Sequence, residues 1–343
     1  MKKQTITIGI VGLGRFGVLI ASILSKDFSV KLYHYKSKTE NKKIAKIIKA
    51  QLVDFNDVSS CDVIILAVPI SVTEEMIKKI GPKMKKGAIL LDTCSVKVYP
   101  CKWLKDNTPE HVQIIGTHPM FGPVTTCFDL DQQTWDLKNK QIVLCPLRMK
   151  NNHLVAIEKY LKKLGIEVII TTPEDHDRQN AKTLSFVHFI GRSFLKAGIK
   201  KQKIFTPGYA DLLKILPHTT GDNWQLFFDM NNFNPYSEEV RGKFFQACQF
   251  IEEKIIKSNS KNNFDYHRNM IDNIDKIILE LLGRRFEHAQ EIGKIKKEKG
   301  LPIVDSKREK EIIESKKKYS KLNDDFVEKF YRVIFDESYK KQK

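Results

Sequence analysis

Apolar runs at strand spacing alternate with helix-spaced runs over the first half of this chain, and only helix spacing persists over the second. Thr5-Ile6-Thr7-Ile8-Gly9-Ile10-Val11 predicts a buried strand and Phe16 to Ser25 a helix. Further strands are expected at Ser29–Tyr35, Val63–Val68, Ala88–Asp92, Val112–Thr117, Gln141–Cys145 and Glu167–Thr171. Helical stretches such as Glu74–Lys79 and Asn152–Leu164 lie between several of them, which argues for a parallel sheet with helices on both faces. From about Pro173 the strand signals stop. Phe264 to about Lys299 reads as one long helix, with Ile271, Ile274, Ile278, Leu281, Leu282, Ala289 and Ile292 on one stripe. Ser258-Asn259-Ser260-Lys261-Asn262-Asn263 is polar throughout and reads as a linker. The boundaries expected are therefore 1–172, 173–258 and 263–343, the last two all-helical.

Composition adds bounds. The 343 residues allow two or three domains, and 41% apolar content is ordinary for a globular chain. Cys61, Cys94, Cys101, Cys127, Cys145 and Cys248 form no CxxC pair and no metal-ligand spacing, which suits a reducing cytoplasm. No run is long enough to span a membrane, and Arg15 interrupts the apolar start that would otherwise resemble a signal peptide. The net charge of +18 raises nucleic acid as a partner. Yet only ten of the 59 basic residues are arginines, and the lysines are spread along the whole chain. Small anionic substrates account for local positive charge as well, and no nucleic acid or membrane partner is expected.

The first chemical motif is Gly12-Leu13-Gly14-Arg15-Phe16-Gly17, a GxGxxG directly after the first strand and opening the first helix. The first glycine permits the tight turn, the second lets backbone approach a pyrophosphate, and the third lets helix pack on strand. Free N–H groups at the helix start then face the phosphates. The second strand ends Tyr33-His34-Tyr35-Lys36-Ser37-Lys38, with no acid for a ribose before Glu40. Lys36, Ser37 and Lys38 could hold a 2′-phosphate, so NADP is preferred to NAD, unless these lysines merely share the general excess. Tyr35, Val68 and Pro69 complete the expected nucleotide-binding set.

Two segments at strand ends carry the candidate chemistry, Asp92-Thr93-Cys94-Ser95-Val96-Lys97 and Gly116-Thr117-His118-Pro119-Met120-Phe121-Gly122-Pro123. Strand C-termini of an open parallel sheet face the ligand crevice. His118 there is placed for acid–base work, with Ser95 orienting substrate and histidine.

At these residues the chain resembles the prephenate/arogenate dehydrogenase family, over roughly residues 5–255. His176-Asp177, Ala181 and His188 through Gly191-Arg192 resemble its next helical segment. The resemblance implies a Rossmann-type dinucleotide-binding domain followed by an all-α dehydrogenase domain. It implies oxidative decarboxylation of a cyclohexadienol, with hydride passing to a nicotinamide and no metal. His188 is carried over as substrate-binding. Prephenate-type members place an arginine in the helical domain to grip a carboxylate, where this chain has Lys214. Lysine lacks the bidentate fork, so the choice between prephenate and arogenate stays open, as does a solvated helix face for Lys214.

At about 100° per residue, Arg285 and Lys296 fall in the middle of the long helix's apolar stripe and Arg268 at its edge. Cations on a core face are costly unless paired, and a bound dicarboxylate would pair them. Asp305 looks like a helix N-cap. A last helix, about Asp324 to Lys341, puts Val327, Phe330, Ile334 and Ser338 on one face with Gln342 a turn further on. Five of the ten arginines follow residue 267. The pattern is similar to the all-helical, three-helix chorismate mutase family. That resemblance implies Arg268, Arg285, Lys296, Asp305, Arg308, Glu309, Ser338 and Gln342 at the site. Lys296 would stabilise the breaking ether oxygen, beside a protonated or hydrogen-bonded Glu309, and Arg285 and Arg268 would hold carboxylates of chorismate. The family intertwines two chains, so a homodimer is expected, with Arg268 reaching the partner's site. The alternative is a dehydrogenase with a non-catalytic basic helical interaction tail.

Overall fold

The computed structural model describes residues 6–35, 39–259 and 264–342. The chain divides into two compact units, Met1–Ala247 and Cys248–Lys343.

In the first unit the apolar runs become one sheet of eight strands: β1 (Thr7–Val11), β2 (Ser29–Tyr33), β3 (Gln51–Leu52), β4 (Val63–Leu66), β5 (Ile89–Asp92), β6 (Gln113–Pro119), β7 (Gln141–Arg148) and β8 (Glu167–Ile170). Their order is β3-β2-β1-β4-β5-β6-β7-β8. Between them run α1 (Arg15–Leu24), α2 (Thr39–Ile47), α3 (Phe55–Ser59), α4 (Ile70–Ile80), α5 (Val98–Asn107) and α6 (Asn151–Lys163). Ile10, Leu32, Ile64, Leu66, Leu90 and Ile114 are wholly buried. Central strands covered on both faces are apolar at successive positions, which is why these segments read as runs rather than alternations. The strand order reverses beside β1, which pairs in parallel with both β2 and β4, and ligands bind such sheets at this switch point.

One pair departs from the all-parallel expectation. β7 runs antiparallel to β6, with Thr117 opposite Leu144 and His118 opposite Val143. No helix connects these strands: residues 120–140 form turns and one isolated bridge, Asp129 to Thr134. Without a crossover the chain returns beside the strand it has just left. α6 then provides a crossover, and β8 is parallel to β7.

The rest of the first unit is helical: α7 (Pro173–Asn180), a π-helical turn at Ala181–Ser185, α8 (Phe186–Lys196), α9 (Pro207–Leu213), α10 (Leu216–Thr220), α11 (Trp224–Asn232) and the N-terminal part of α12 (Ser237–Asn259). α7 starts where Thr172 accepts a hydrogen bond from the Asp175 N–H and Pro173 takes the first helical position. The expected break at residue 172 does not separate compact units, because α7 is tied into the sheet's loops. The division at Ala247 falls inside α12 rather than in the polar stretch, whose residues 260–263 lie outside those described. Among the described residues, no helix is long and apolar enough to cross a membrane.

The second unit packs α13 (Phe264–Glu298), α14 (Ser306–Tyr319) and α15 (Asp324–Gln342). Asp305 caps α14, accepting from the Arg308 N–H at 3.0 Å, as its position before the helix predicts. α13 and α15 approach closely at Gly293, where an added Cβ would lie 3.0 Å from Gln342.

Candidate functional site

The glycine loop leaves β1 at the sheet's switch point. Gly12 has φ +105°, and a Cβ there would meet the Ala67 carbonyl at 2.3 Å. A Cβ on Gly17 would meet the Gly12 carbonyl at 2.0 Å. Both positions therefore exclude any side chain. Gly14 is the N-cap of α1, without a side-chain cap, and a Cβ there would meet nothing within 4 Å. The start of α1 thus has no side-chain cap and open space beside Gly14, as an approaching pyrophosphate needs. Leu13 is buried in the core under the sheet, and Phe16 packs toward Phe121 with ring centroids 6.4 Å apart. Their side chains serve packing, so only their backbone can face a nucleotide. Arg15 is exposed, and Tyr35 stacks on His34. Val68 lies near Gly12, and Pro69 caps α4. Lys36 and Ser37 lie outside the described residues.

The chemical centre forms at the C-terminal ends of β5 and β6. His118 is 5% exposed, and its Nδ1 lies 2.8 Å from His176 Nε2. His176 Nδ1 lies 2.7 Å from Asp177 Oδ1. Asp177 is fully buried and accepts two backbone N–H groups at the start of α5, from Lys97 at 2.7 Å and Val98 at 2.8 Å. Asn234 donates to the Asp177 carbonyl at 2.9 Å. Burial, then His176, then Lys97 hold the His118 imidazole well below the ordinary histidine pKa, so it is neutral and able to accept a proton.

Lys97 is wholly buried and ion-paired with Asp92, and it donates to the Thr117 carbonyl at 2.7 Å. Burial opposes its charge, but Asp92 outweighs burial and holds the ammonium above the ordinary lysine value. Asp92 also accepts from the backbone N–H of Cys94 at 2.9 Å and of Thr117 at 3.2 Å. One carboxylate thereby fixes both strand ends that carry Ser95 and His118. The Ser95 carbonyl accepts from Asn180 Nδ2 at 2.5 Å, and its Oγ is buried without a partner among the described residues. Such a hydroxyl is costly unless a ligand completes it. A cavity of about 500 Å³ lies on the other face of the sheet, lined by Thr117 and Pro119 and otherwise largely by aliphatic groups such as Ile8, Ile65 and Leu91. It is not this site.

Two expected members of the dehydrogenase site stand apart. His188 is buried on α8, its Nδ1 without a partner. It lies twelve residues along the helical path from His176, roughly 18 Å of rise. Lys214 caps α9, its side chain 76% exposed and paired with Asp211 at 2.7 Å. Neither makes a hydrogen bond to His118 among the described residues.

In the second unit, Arg285 Nη1 donates to Ser338 Oγ at 2.6 Å and its guanidinium lies over Phe335. Burial lowers its pKa from the ordinary arginine value. Lys296 donates to the Ile303 carbonyl at 2.6 Å. Glu309 accepts the hydroxyl of Tyr339, and Gln342 Oε1 is buried without a partner among the described residues. Of the eight expected residues, Arg285 and Ser338 are thus bonded to each other, while Lys296 and Glu309 are held by Ile303 and Tyr339. Asp305 serves as the cap of α14. Arg308 is exposed and paired with Glu311, and Arg268 is exposed and stacked on Phe264. Seventeen residues of helix, roughly 26 Å, separate Arg268 from Arg285.

The functional residues to which sequence reasoning assigned no role are Asp92, Lys97, His176, Asp177, Asn180 and Tyr339. One local signal existed: two opposite charges, Asp92 and Lys97, bracket the uncharged segment Thr93–Val96 at a strand end.

Comparison with known proteins bears on both units. Residues 20–170 match the family model for the prephenate dehydrogenase nucleotide-binding domain, and residues 267–343 match chorismate mutase type II. Residues 194–265 match a TYRAAT1-like, C-terminal domain model. The first match starts beyond the glycine loop, which stands on its geometry. A Methanocaldococcus jannaschii protein named probable arogenate/prephenate dehydrogenase is 30% identical over 280 residues, 77% of this chain and 60% of that protein. Arogenate dehydrogenase 1, chloroplastic, of Arabidopsis thaliana is 25% identical over 256 residues, 72% of this chain and 39% of that protein. The chain therefore spans 60% and 39% of the lengths of these two relatives. Among solved structures, Synechocystis arogenate dehydrogenase is matched over 80% of this chain and 100% of its own, with TM-score 0.58 and 20% identity. The Aquifex aeolicus prephenate dehydrogenase, solved with hydroxyphenyl propionate and NAD+, is matched over 81% and 100%, with TM-score 0.59 and 18% identity. Those two likenesses establish the fold. The chain is therefore similar to the prephenate dehydrogenase nucleotide-binding domain over residues 20–170 and to chorismate mutase type II over residues 267–343.

Proposed function

We propose that the chain is a bifunctional enzyme of tyrosine biosynthesis. Its second unit rearranges chorismate to prephenate, and its first performs the NAD(P)-dependent oxidative decarboxylation of prephenate to 4-hydroxyphenylpyruvate, or of arogenate to tyrosine. The observation that carries the dehydrogenase reading is a buried, neutral His118 beside an unpartnered Ser95 hydroxyl at the strand ends, on a sheet whose switch point bears an open glycine loop.

The residues around Gly12 and Gly14 fit a dinucleotide, whose oxidised nicotinamide supplies the hydride acceptor. His118 removes the proton of the substrate hydroxyl as its carbon gives up hydride. Ser95 Oγ orients that hydroxyl. Carbon dioxide leaves as the ring becomes aromatic. NADP is the preferred cofactor, because β2 ends at Tyr33 with no acid before Glu40 to hold a free ribose.

The rearrangement needs no nucleophile, only a held conformer and a stabilised ether oxygen. Lys296 is assigned to that oxygen, with Gln342 and the Tyr339-bonded Glu309 beside it, and Arg285 to a carboxylate. Ile271, Ile274, Ile278, Leu281 and Ile292 of α13 are 42–57% exposed in one chain, and a second copy would cover them. That supports a homodimer. The six free cysteines are consistent with a reducing cytoplasm.

Supplying chorismate with NAD or NADP tests the whole reading. Reduced cofactor should appear from chorismate alone if prephenate is the substrate, and on addition of arogenate if arogenate is, with NADP favoured in kcat/KM. Reduction from prephenate and arogenate failing with both cofactors would remove the dehydrogenase assignment, and undiminished chorismate would remove the mutase.

A further inference from the structure

His118 reaches Asp177 only through His176. The Asp177 carboxylate accepts two backbone N–H groups at the N-terminus of α5. An ionised carboxylate only accepts, so the 2.7 Å contact requires a hydrogen on His176 Nδ1. With His176 neutral, its Nε2 is then an acceptor, and the 2.8 Å contact requires a hydrogen on His118 Nδ1. The lone pair of His118 is left on Nε2, which makes no hydrogen bond among the described residues.

We propose that His176 and Asp177 are positioning residues of the His118 base, fixing the tautomer that leaves Nε2 free and taking up the positive charge of the abstracted proton. The inference rests on the dehydrogenase reading of the first unit. In the reacting step the substrate O–H bond breaks and an N–H bond forms at His118 Nε2, while the hydride leaves for the nicotinamide. The Nδ1 hydrogen of His118 shifts toward His176 Nε2, and the resulting imidazolium lies against the Asp177 carboxylate. Upon product release the proton returns along the chain to solvent through Nε2.

The need for such a device follows from the surroundings. The charged and titratable groups facing His118 are His176 on α7 and Lys97 before α5, with Asp177 behind the former and Asp92 neutralising the latter. Burial and Lys97 both oppose an isolated imidazolium here. Asp177 is the carboxylate that can receive the charge, because Asp92 is already neutralised by the Lys97 ammonium.

The test compares full-length wild type with His176→Gln and Asp177→Asn. It measures kcat and KM across pH and the affinity for NADP. His176→Gln keeps an acceptor for His118 Nδ1 and leaves Asp177 with its backbone donors, so it answers the question even where Asp177→Asn folds poorly. Both variants should lose about a hundredfold in kcat, the scale of acid–base catalysis, with KM and nucleotide affinity within roughly threefold. The acid limb of kcat should move down by roughly half a pH unit or more, because the cation has lost its counter-charge. Loss confined to KM or nucleotide affinity, or a fall in kcat with the limb unmoved, would overturn the proposal in favour of a purely structural role. Wild type inactive on prephenate and arogenate would instead sink the parent reading.

Discussion

The two units build their candidate sites in opposite ways. In the first, the groups around His118 are tied by partners distant in sequence: His176 at 58 positions, Asp177 to Lys97 at 80, Asn180 to Ser95 at 85. The site is buried and held by an ion pair and backbone donors before any ligand arrives. In the second, one helix carries Arg285 and Lys296, and much of its apolar stripe faces outward in a single chain. A site of the first kind is preorganised by the fold of one chain, at the cost of burying charge. A site of the second kind uses surface that one chain leaves uncovered.

The largest expected effect tests that cost. Lys97→Met leaves Asp92 buried and unpaired, which should destabilise the first unit by about 3–5 kcal/mol. Denaturant unfolding should show it, while Lys97→Met combined with Asp92→Leu should recover part of the loss. A single-variant loss under about 1 kcal/mol would mean that the buried pair contributes nothing to holding the strand ends. Next in size, His118→Ala should lower dehydrogenation at least a hundredfold, roughly 2.7 kcal/mol, and spare the mutase. A tenfold or smaller loss in folded protein would remove His118 from the mechanism. Smaller again, Ser338→Ala deletes the hydroxyl that accepts from Arg285. Mutase activity should fall roughly tenfold, as expected for about 1.5 kcal/mol from a hydrogen bond to a charged group, with dehydrogenation unchanged. Equal losses in both activities would contradict the separation of the two sites.

The same contrast explains what was legible in the chain. Local patterns carry local structure, so β1, the glycine loop, β6 with His118, and the single long α13 could all be read directly. Arg285 and Lys296 stood out because a cation in the middle of an apolar stripe breaks a periodic rule. The antiparallel β7 was not legible, because strand direction depends on the connection and residues 120–140 carry no helical pattern to decide it. β3, two residues long, is too short to show a period. His176 and Asp177 sit on a polar helix, where a histidine and an aspartate look like ordinary surface residues. Only the folding of α7 against β6 and the start of α5 buries them. Lys214 shows the converse: a position carried over from a family resemblance can land on a solvated face.

That position yields the smallest expected effect. If Lys214 gripped a substrate carboxylate, an arginine there would add a bidentate fork and favour prephenate over arogenate. The structure instead places its ammonium 2.7 Å from Asp211, three residues earlier, with both side chains more than two-thirds exposed. An exposed pair of this kind is worth about 0–1 kcal/mol and is screened by salt. Arginine can pair with the same aspartate without reaching further into the molecule. Lys214→Arg should therefore leave the ratio of kcat/KM for prephenate to that for arogenate within roughly twofold, under half a kcal/mol. The comparison needs both substrates measured with the same cofactor, so that a change in nucleotide affinity cancels. Low salt is the stringent condition, since any long-range effect of the charge is largest there. A shift in the ratio above about fivefold, roughly 1 kcal/mol, would return Lys214 to the substrate's carboxylate. It would also mean that α9 moves toward His118 when substrate binds, and that the first unit is less fully preorganised than its buried core suggests.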